Sequence, residues 1–182
     1  MTSGMTSGSA GGPGGVVVRC REEADLDACA RVLGEVHEGD GYPVNRPDEP
    51  VAWLSPSSLL AAWVAELDGR VAGHVVLSRG GPGDLAPGLW RARQDASGAA
   101  TAVVSRLFVA RAARGHGLGA LLLTRAAEEA ERRELHPVLD VVATDRAAAA
   151  LYERQGWHLL ATSEQRWGPD RTVTVHSYAA PR

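Results

Sequence analysis

The run from Arg114 to Gly119, Arg-Gly-His-Gly-Leu-Gly, constrains the fold more than any other part of the sequence. Residues 102–109 before it are apolar enough for a buried strand, and apolar residues recur at helical spacing from 118 to about 131. The run therefore predicts a turn from strand to helix, in which three alternate glycines let the backbone approach a ligand closely. The first amides of a helix have no partner within it, and the helix dipole is positive at that end. Such a turn is suited to binding phosphate.

Two common nucleotide-binding loops fit this run poorly. The kinase-type loop requires a lysine, and the chain contains none. The dinucleotide fingerprint is formally matched by Gly115, Gly117 and Ala120, but it usually opens a long series of strands and helices, and only about sixty residues follow. The acid that it needs, Asp145, comes thirty residues after Gly115 rather than ~20. A small nucleotide-binding domain is kept as one hypothesis.

The same run resembles the coenzyme A pyrophosphate loop, Arg-x-x-Gly-x-Gly, of the GNAT family of N-acetyltransferases. Residues 106–109 resemble the end of that family's central strand, and residues 139–142 and 147–157 resemble its next strand and helix. The ending Leu-Tyr-x-x-x-Gly-aromatic at 151–157 is characteristic of the family. The resemblance covers about residues 16 to 179. It implies an α/β fold with a mixed, mostly antiparallel sheet flanked by helices and a splayed central strand pair.

The resemblance also implies that acetyl-CoA, as the acetyl donor, lies in the cleft between the splayed strands. Backbone groups of the central strand would bind the pantetheine arm, and the glycine-rich run would bind the pyrophosphate. The residues concerned are Leu107, Phe108 and Val109 for the arm, and Arg114, Gly115, His116, Gly117, Leu118 and Gly119 for the pyrophosphate. No metal is expected, because the histidines lack the spacing of metal ligands.

Tyr152 matches the family's general acid. A tyrosine pKa of ~10 is close enough to the ~8.5 of a thiol for a proton to be shared with a leaving thiolate. Many family members place a glutamate on the central strand as the base, but residues 101–109 contain no acid here. The base is therefore left open among four residues, which are Glu38, Asp40, His37 and His74.

The expected acceptor is a primary amine of a small molecule or peptide. The first helix is predicted to end near His37, because two glycines and Pro43 follow it. The resemblance places the segment after it across the cleft from the thioester. Glu38, Asp40 and Tyr42 are therefore predicted to line the acceptor entrance, with Asp40 attracting a cationic amine.

The remaining pattern predicts the element order β-α-(α)-β-β-β-α-β-α-β-β, which is a mixed α/β arrangement. Asp68-Gly69 is a strong hairpin signal. Residues 80–98 are rich in glycine, proline and charge and are expected to form a long loop.

Composition limits the other possibilities. With 182 residues, of which 45% are hydrophobic, the chain is expected to form a single domain over 16–182 after a disordered Gly/Ser-rich segment at 1–15. The net charge of −3 argues against nucleic acid as a partner, and no apolar run is long enough for a membrane span. All nineteen basic residues are arginine, which favours a GC-rich bacterial source. A cytoplasmic location is expected, and a homodimer is left open as an alternative to a monomer.

Two functions from different classes follow from the family resemblance. The first is an acetyl-CoA-dependent N-acetyltransferase. The second is a non-catalytic module that binds or senses acyl-CoA, which the missing strand acid keeps open and which Tyr152 argues against. Turnover of acetyl-CoA with a panel of amines would separate the two.

Overall fold

The computed structural model describes residues 15–93 and 100–182. Except for Gly15, the segment expected to be disordered lies outside the described residues. Seven strands of the described part form one sheet in the order β1-β2-β3-β4-β5-β7-β6. The strands are Val16–Cys20 (β1), Leu59–Leu67 (β2), Arg70–Ser78 (β3), Thr101–Val109 (β4), His136–Val142 (β5), His158–Gly168 (β6) and Arg171–Ala179 (β7). Only β4 and β5 pair in parallel, so the predicted mixed, mostly antiparallel sheet is confirmed.

Five α-helices of the described residues cover the two faces of this sheet. They are Leu26–Asp40 (α1), Pro50–Trp53 (α2), Ala86–Arg93 (α3), Leu118–Arg132 (α4) and Arg146–Arg154 (α5). Helix α4 packs on one face and buries an apolar stripe that includes Leu118, Leu122 and Leu123. Helix α1 packs around Phe108, and α3 packs around Val103; both of these β4 side chains belong to other core clusters than the α4 stripe.

The central strands separate after a short contact. β4 and β5 are paired at three positions, of which Val103 opposite Val138 is the last. Beyond Val103, the edge of β4 that faces β5 has no strand partner in the described ranges, although its other edge pairs with β3 as far as Val109. β5 continues along β7 to Val142. The sheet therefore opens into the V-shaped cleft that was predicted.

Helix α1 does not end near His37, as expected, but continues to Asp40. Gly39 lies inside the helix, and a β-carbon at this position would lie 2.6 Å from Nη1 of Arg111. The close approach of the Arg111 side chain favours a glycine at position 39. The helix ends instead at Gly41, whose φ of 72° is the left-handed conformation common at helix C-termini. Glu38 and Asp40 are therefore helical residues.

The prediction of a long loop over 80–98 was wrong in part, because this segment contains α3. Its residues 94–98 lie outside the described residues. The carboxylate of Asp140 on β5 accepts hydrogen bonds from the amides of Leu85 (2.7 Å) and Ala86 (3.2 Å) at the start of this helix. Trp90 then stacks on His136 with 3.8 Å between ring centroids. The groups that stabilise α3 thus come from a distant part of the chain, which a local reading cannot detect.

Candidate active site

The glycine-rich turn joins β4 to α4 as predicted, but its three glycines are favoured for different structural reasons. Gly115 and Gly117 have φ values of 83° and 74°, in the left-handed region where glycine alone is unstrained. A β-carbon at either position would meet no protein atom within 4 Å. At Gly119, in contrast, it would lie 3.2 Å from the side chain of Leu151. The first two glycines therefore shape an open surface, whereas the third lets α4 pack closely against α5.

Six consecutive amides, those of residues 115–120, donate no hydrogen bond to any described residue. The first bond of the helix is made by Leu121, whose amide donates to the Gly117 carbonyl at 3.1 Å. These free donors lie at the positive end of the α4 dipole, beside the open edge of β4. Backbone donors arranged in this way bind phosphate oxygens without the help of side chains.

Asp40 lies at the end of α1 and binds the arginines of this turn. Its carboxylate forms an ion pair with Arg114, and Nε of Arg111 lies 3.8 Å from its Oδ1. The hydrogen bond from Arg114 holds the pKa of Asp40 below its usual value. Glu38 is exposed on the same helix. The predicted roles of Asp40 and Glu38 at the acceptor entrance stay predictions, and the structure adds that the charge of Asp40 is already shared with two arginines.

The open part of β4 carries the three residues predicted to bind the pantetheine arm. The side chains of Leu107 and Val109 pack with the α4 core, and that of Phe108 packs with the α1 core. Because the β5-facing edge of residues 104–109 has no strand partner in the described residues, its backbone groups are free to pair with an extended ligand.

Tyr152 of α5 is 6% exposed and lies between Trp157 and Tyr178, whose ring centroids are 6.2 and 5.8 Å away. Its hydroxyl forms no hydrogen bond with another described residue, although Tyr178 nearby donates to Glu153 at 2.9 Å. Burial raises the pKa of Tyr152 above its usual value, and Tyr42 and Asp145 raise it further. The hydroxyl therefore stays protonated at neutral pH and has a proton available for another group.

An aromatic cluster lies against β4 on the sheet face opposite to the α4 core. Tyr42 is half-buried, and its ring lies 6.4 Å from Phe108 and 6.5 Å from Trp53. Burial raises the pKa of Tyr42 above its ordinary value. The loop that carries Tyr42 also reaches the β6–β7 hairpin, since Arg171 donates to the side-chain oxygen of Asn45 at 3.2 Å. The predicted role of Tyr42 at the acceptor entrance stays a prediction.

Two of the histidines considered as bases are already hydrogen bonded. His74 is fully buried, with Nδ1 3.0 Å from the Arg106 carbonyl and Nε2 2.9 Å from Nη1 of Arg21. Burial lowers the pKa of His74 to about 4, so the ring is neutral, donating through Nδ1 and accepting at Nε2. His37 has its Nδ1 2.9 Å from the Pro43 carbonyl. His74 thus supports the strand and cannot take a proton from an acceptor directly.

The structure adds two charged residues that the sequence reasoning did not single out. Arg106 lies in β4 with its guanidinium over Trp53, at 4.7 Å from the ring centroid. Asp84 lines an open groove of about 650 Å³ together with residues 164–167 of β6, and burial raises the pKa of its carboxyl. An arginine inside an apolar strand was a usable signal for the first. The second lies in a glycine-rich segment with no distinguishing pattern.

No group of three or more His, Cys, Asp or Glu side chains within residues 15–93 and 100–182 is arranged to hold a metal ion. In the same ranges, no helix has the length and apolarity needed to span a membrane.

The sequence matches the model of the acetyltransferase (GNAT) family over residues 28–157, which is more than two thirds of the chain. The protein belongs to the GNAT acetyltransferase family. No curated protein sequence matches the chain.

Solved structures of acetyltransferases share the fold. Ribosomal-protein-alanine N-acetyltransferase from Brucella melitensis is 25% identical, with a TM-score of 0.66 over 90% of this chain and 98% of that one. The yncA protein of Salmonella typhimurium, solved with its cofactor acetyl-CoA, is 22% identical, with a TM-score of 0.66 over 90% and 92%. NAA60 of Arabidopsis thaliana, solved with a bisubstrate analogue, is 15% identical, with a TM-score of 0.64 over 91% and 98%.

Proposed function

We propose that the protein is an acetyl-CoA-dependent N-acetyltransferase that acts on a primary amine of a small molecule or peptide. The observation that carries this proposal is the row of six amides at the start of α4 that, like the nearby edge of β4, have no partner among the described residues. The amides at the start of α4 suit a pyrophosphate, and the edge of β4 suits the amide-containing pantetheine arm. Acetyl-CoA supplies the activated acetyl thioester, so the protein needs no metal or redox group for the transfer.

Different residues of this chain are proposed to bind acetyl-CoA, to donate a proton and to contact the acceptor. The amides of 115–120 and the side chain of Arg114 are proposed to bind the phosphates, and Leu107, Phe108 and Val109 the arm. Tyr152 is proposed to donate a proton to the leaving thiolate, which the absence of another hydrogen-bond partner for its hydroxyl among the described residues supports. Tyr42 is proposed to contact the acceptor, because its aromatic cluster lies against β4 on the sheet face opposite to the α4 core.

An amine is protonated at neutral pH and must lose a proton before it can attack. Glu38 and Asp40 remain predictions for the group that accepts this proton. Asp84 is a further candidate, because it lines an open groove and burial raises the pKa of its carboxyl. A cytoplasmic location also stays a prediction.

The test combines binding and turnover. Thermal unfolding is measured with acetyl-CoA and with NAD, and release of free thiol is measured with acetyl-CoA and a panel of amines. Stabilisation by acetyl-CoA together with amine-dependent thiol release supports the proposal. Stabilisation without turnover of any amine would identify a non-catalytic acyl-CoA-binding module. Stabilisation by NAD but not by acetyl-CoA would identify a nucleotide-binding domain.

A further inference from the structure

Arg106 occupies an irregular position of the central strand. The register between β3 and β4 shifts between His74 and Val76, opposite the part of β4 that contains Arg106. Arg106 has a φ of 52°, a left-handed conformation that is strained for a residue with a β-carbon. The buried ring of His74 holds this conformation through its bond to the Arg106 carbonyl. The protein therefore gives up some stability to hold the Arg106 side chain in this position.

The guanidinium of Arg106 has a fixed orientation, but only some of its N–H groups donate hydrogen bonds to described residues. Nε donates to the Trp53 carbonyl at 2.6 Å, and Nη1 donates to Oγ of Ser105 at 3.0 Å. These two bonds and the Trp53 ring define its plane. A guanidinium has five N–H donors, so three of them, including both on Nη2, have no acceptor among the described residues. This contrasts with Arg21, whose donors reach the Leu54 carbonyl, Ser55 and His74.

The charge of Arg106 also has no ion pair at contact distance among the described residues, although the Asp84 carboxylate acts on it from farther away. No carboxylate of the described residues lies within 4.0 Å of it, whereas Arg19 on the far edge of the sheet binds both Asp25 and Glu66. The side chain is half-buried between the aromatic cluster of Tyr42 and Trp53 and the segment that carries Asp84. A half-buried guanidinium without a carboxylate is costly unless an anion from outside completes it.

The position of Arg106 suggests where that anion comes from. It lies on the open part of β4, beyond the last pair with β5, and on the same sheet face as Phe108 and α1. The free amides that suit phosphate lie after the end of the strand, at the start of α4. An anion at Arg106 would thus reach the cleft from the acceptor side. Arginine binds carboxylates through two parallel N–H bonds, which the free donors of Arg106 allow.

We propose that Arg106 binds a carboxylate of the acceptor, so that the acceptor is a small primary amine that also carries a carboxylate. This inference rests on the proposed function and adds a substrate class to it. It differs from the attraction of a cationic amine predicted for Asp40, whose charge is shared with Arg111 and Arg114.

The experiment uses matched pairs of acceptors that differ only in the carboxylate. L-phenylalanine is compared with phenethylamine, and L-methionine with 3-(methylthio)propylamine, by thiol release from acetyl-CoA. We expect the wild-type protein to have a higher kcat/KM for the carboxylate-bearing member of an accepted pair. In Arg106→Asn this preference should fall by about 10- to 100-fold, the usual effect of losing a hydrogen bond to a charged group. Asparagine tolerates a left-handed backbone, so this variant is expected to fold.

Two further variants separate the anchor from a general effect of charge. Arg106→Lys keeps the charge without the planar pair of donors and should retain part of the preference. Arg125→Gln removes one positive charge from the exposed side of α4, where Arg125 lies 3.6 Å from Glu128, and should leave the preference unchanged. An equal loss of preference in Arg125→Gln would show a long-range charge effect and overturn the proposal.

The outcomes also distinguish this inference from the proposed function. If acetyl-CoA stabilises the protein and amines are acetylated with no preference for a carboxylate, the anchor is wrong and the acetyltransferase assignment stands. The anchor is also wrong if the preference survives in Arg106→Asn. If acetyl-CoA stabilises the protein but no amine is acetylated, both proposals fail.

Discussion

The two walls of the cleft are built from different parts of the polypeptide. The wall formed by the turn before α4 presents backbone amides, and its glycines keep side chains away from the open surface. The opposite wall presents side chains, namely the aromatic rings of Tyr42, Trp53 and Phe108 with the guanidinium of Arg106. The first wall should therefore tolerate most changes of side-chain identity, except the addition of a β-carbon at one of its glycines. The second should depend on the chemistry of each side chain.

Tyr152 belongs to neither wall, and its removal should have the largest effect. Tyr152→Phe keeps the ring and removes a hydroxyl that has no partner in the described residues, so the melting temperature should hardly change. If the hydroxyl is the general acid, kcat should fall about 10²- to 10⁴-fold. Kinetics under conditions in which chemistry limits the rate give this number. The matched control is Tyr178→Phe, which loses the bond to Glu153 and should lower stability by about 1 kcal/mol but not kcat. Equal kcat values in both variants would assign Tyr152 to the core.

The side-chain wall should weaken in acid because His74 is neutral in the folded protein. Its pKa of about 4 lies below the 6.5 of an exposed histidine, so the unfolded chain binds the proton more tightly. Neutral His74 contributes fully to the free energy of unfolding above pH 6.5. This contribution, about 3 kcal/mol in all, is lost as the pH falls from 6.5 towards 4. The pH dependence of the unfolding free energy in wild type and His74→Gln measures this. The wild-type curve should be steeper in that window, and parallel curves would show that other groups are responsible.

The backbone wall should fail when a branched side chain is added at Gly117. Ligand at about 100 times its Kd stabilises a protein by roughly 2.7 kcal/mol, and Gly117→Val should lose this stabilisation by acetyl-CoA. The β-carbon of the new side chain would meet no atom of the described residues within 4 Å, so we attribute a lost response to the strained turn and the blocked surface. Gly69→Val is the control, since Gly69 has a similar φ of 75° but lies in the β2–β3 hairpin. Both variants should be less stable, and only the hairpin variant should still respond to acetyl-CoA.

The smallest effect is expected at Asp40, which connects the end of α1 with the arginines of the backbone wall. Because exposed ion pairs contribute at most about 1 kcal/mol, Asp40→Asn should raise a Michaelis constant only several-fold. Comparing the constants for acetyl-CoA and for the amine shows which wall Asp40 serves. A higher value for the amine alone supports the predicted role at the acceptor entrance. A higher value for acetyl-CoA alone would show that Asp40 supports the turn, and a large fall in kcat with a shifted pH profile would identify it as the base.

The same contrast explains what the sequence could predict. The turn from β4 to α4 depends on glycines that are neighbours in the chain, so a local pattern was sufficient to locate it. The split of the sheet followed from the family resemblance. The end of α1 was misjudged because Gly39 is compatible with the helix and lies against the distant Arg111, so it does not mark a break in its own segment. Helix α3 was missed because its capping carboxylate, Asp140, is on another strand.

The side-chain wall could not be predicted in the same way. Tyr42, Trp53 and Arg106 come from three separate segments, and only folding brings them together. A single arginine in a strand gives no indication of which way it faces or whether a carboxylate lies beside it. The sequence therefore predicted the position of the backbone wall but not the properties of the side-chain wall.

The left-handed backbone at Arg106 has a consequence for how the protein should respond to selection. Glycine or asparagine would adopt the same φ with less strain, so a library screened only for heat tolerance should lose the arginine early. A library screened for turnover should keep it despite the cost. Position 106 would then report which of the two pressures a lineage of variants had experienced.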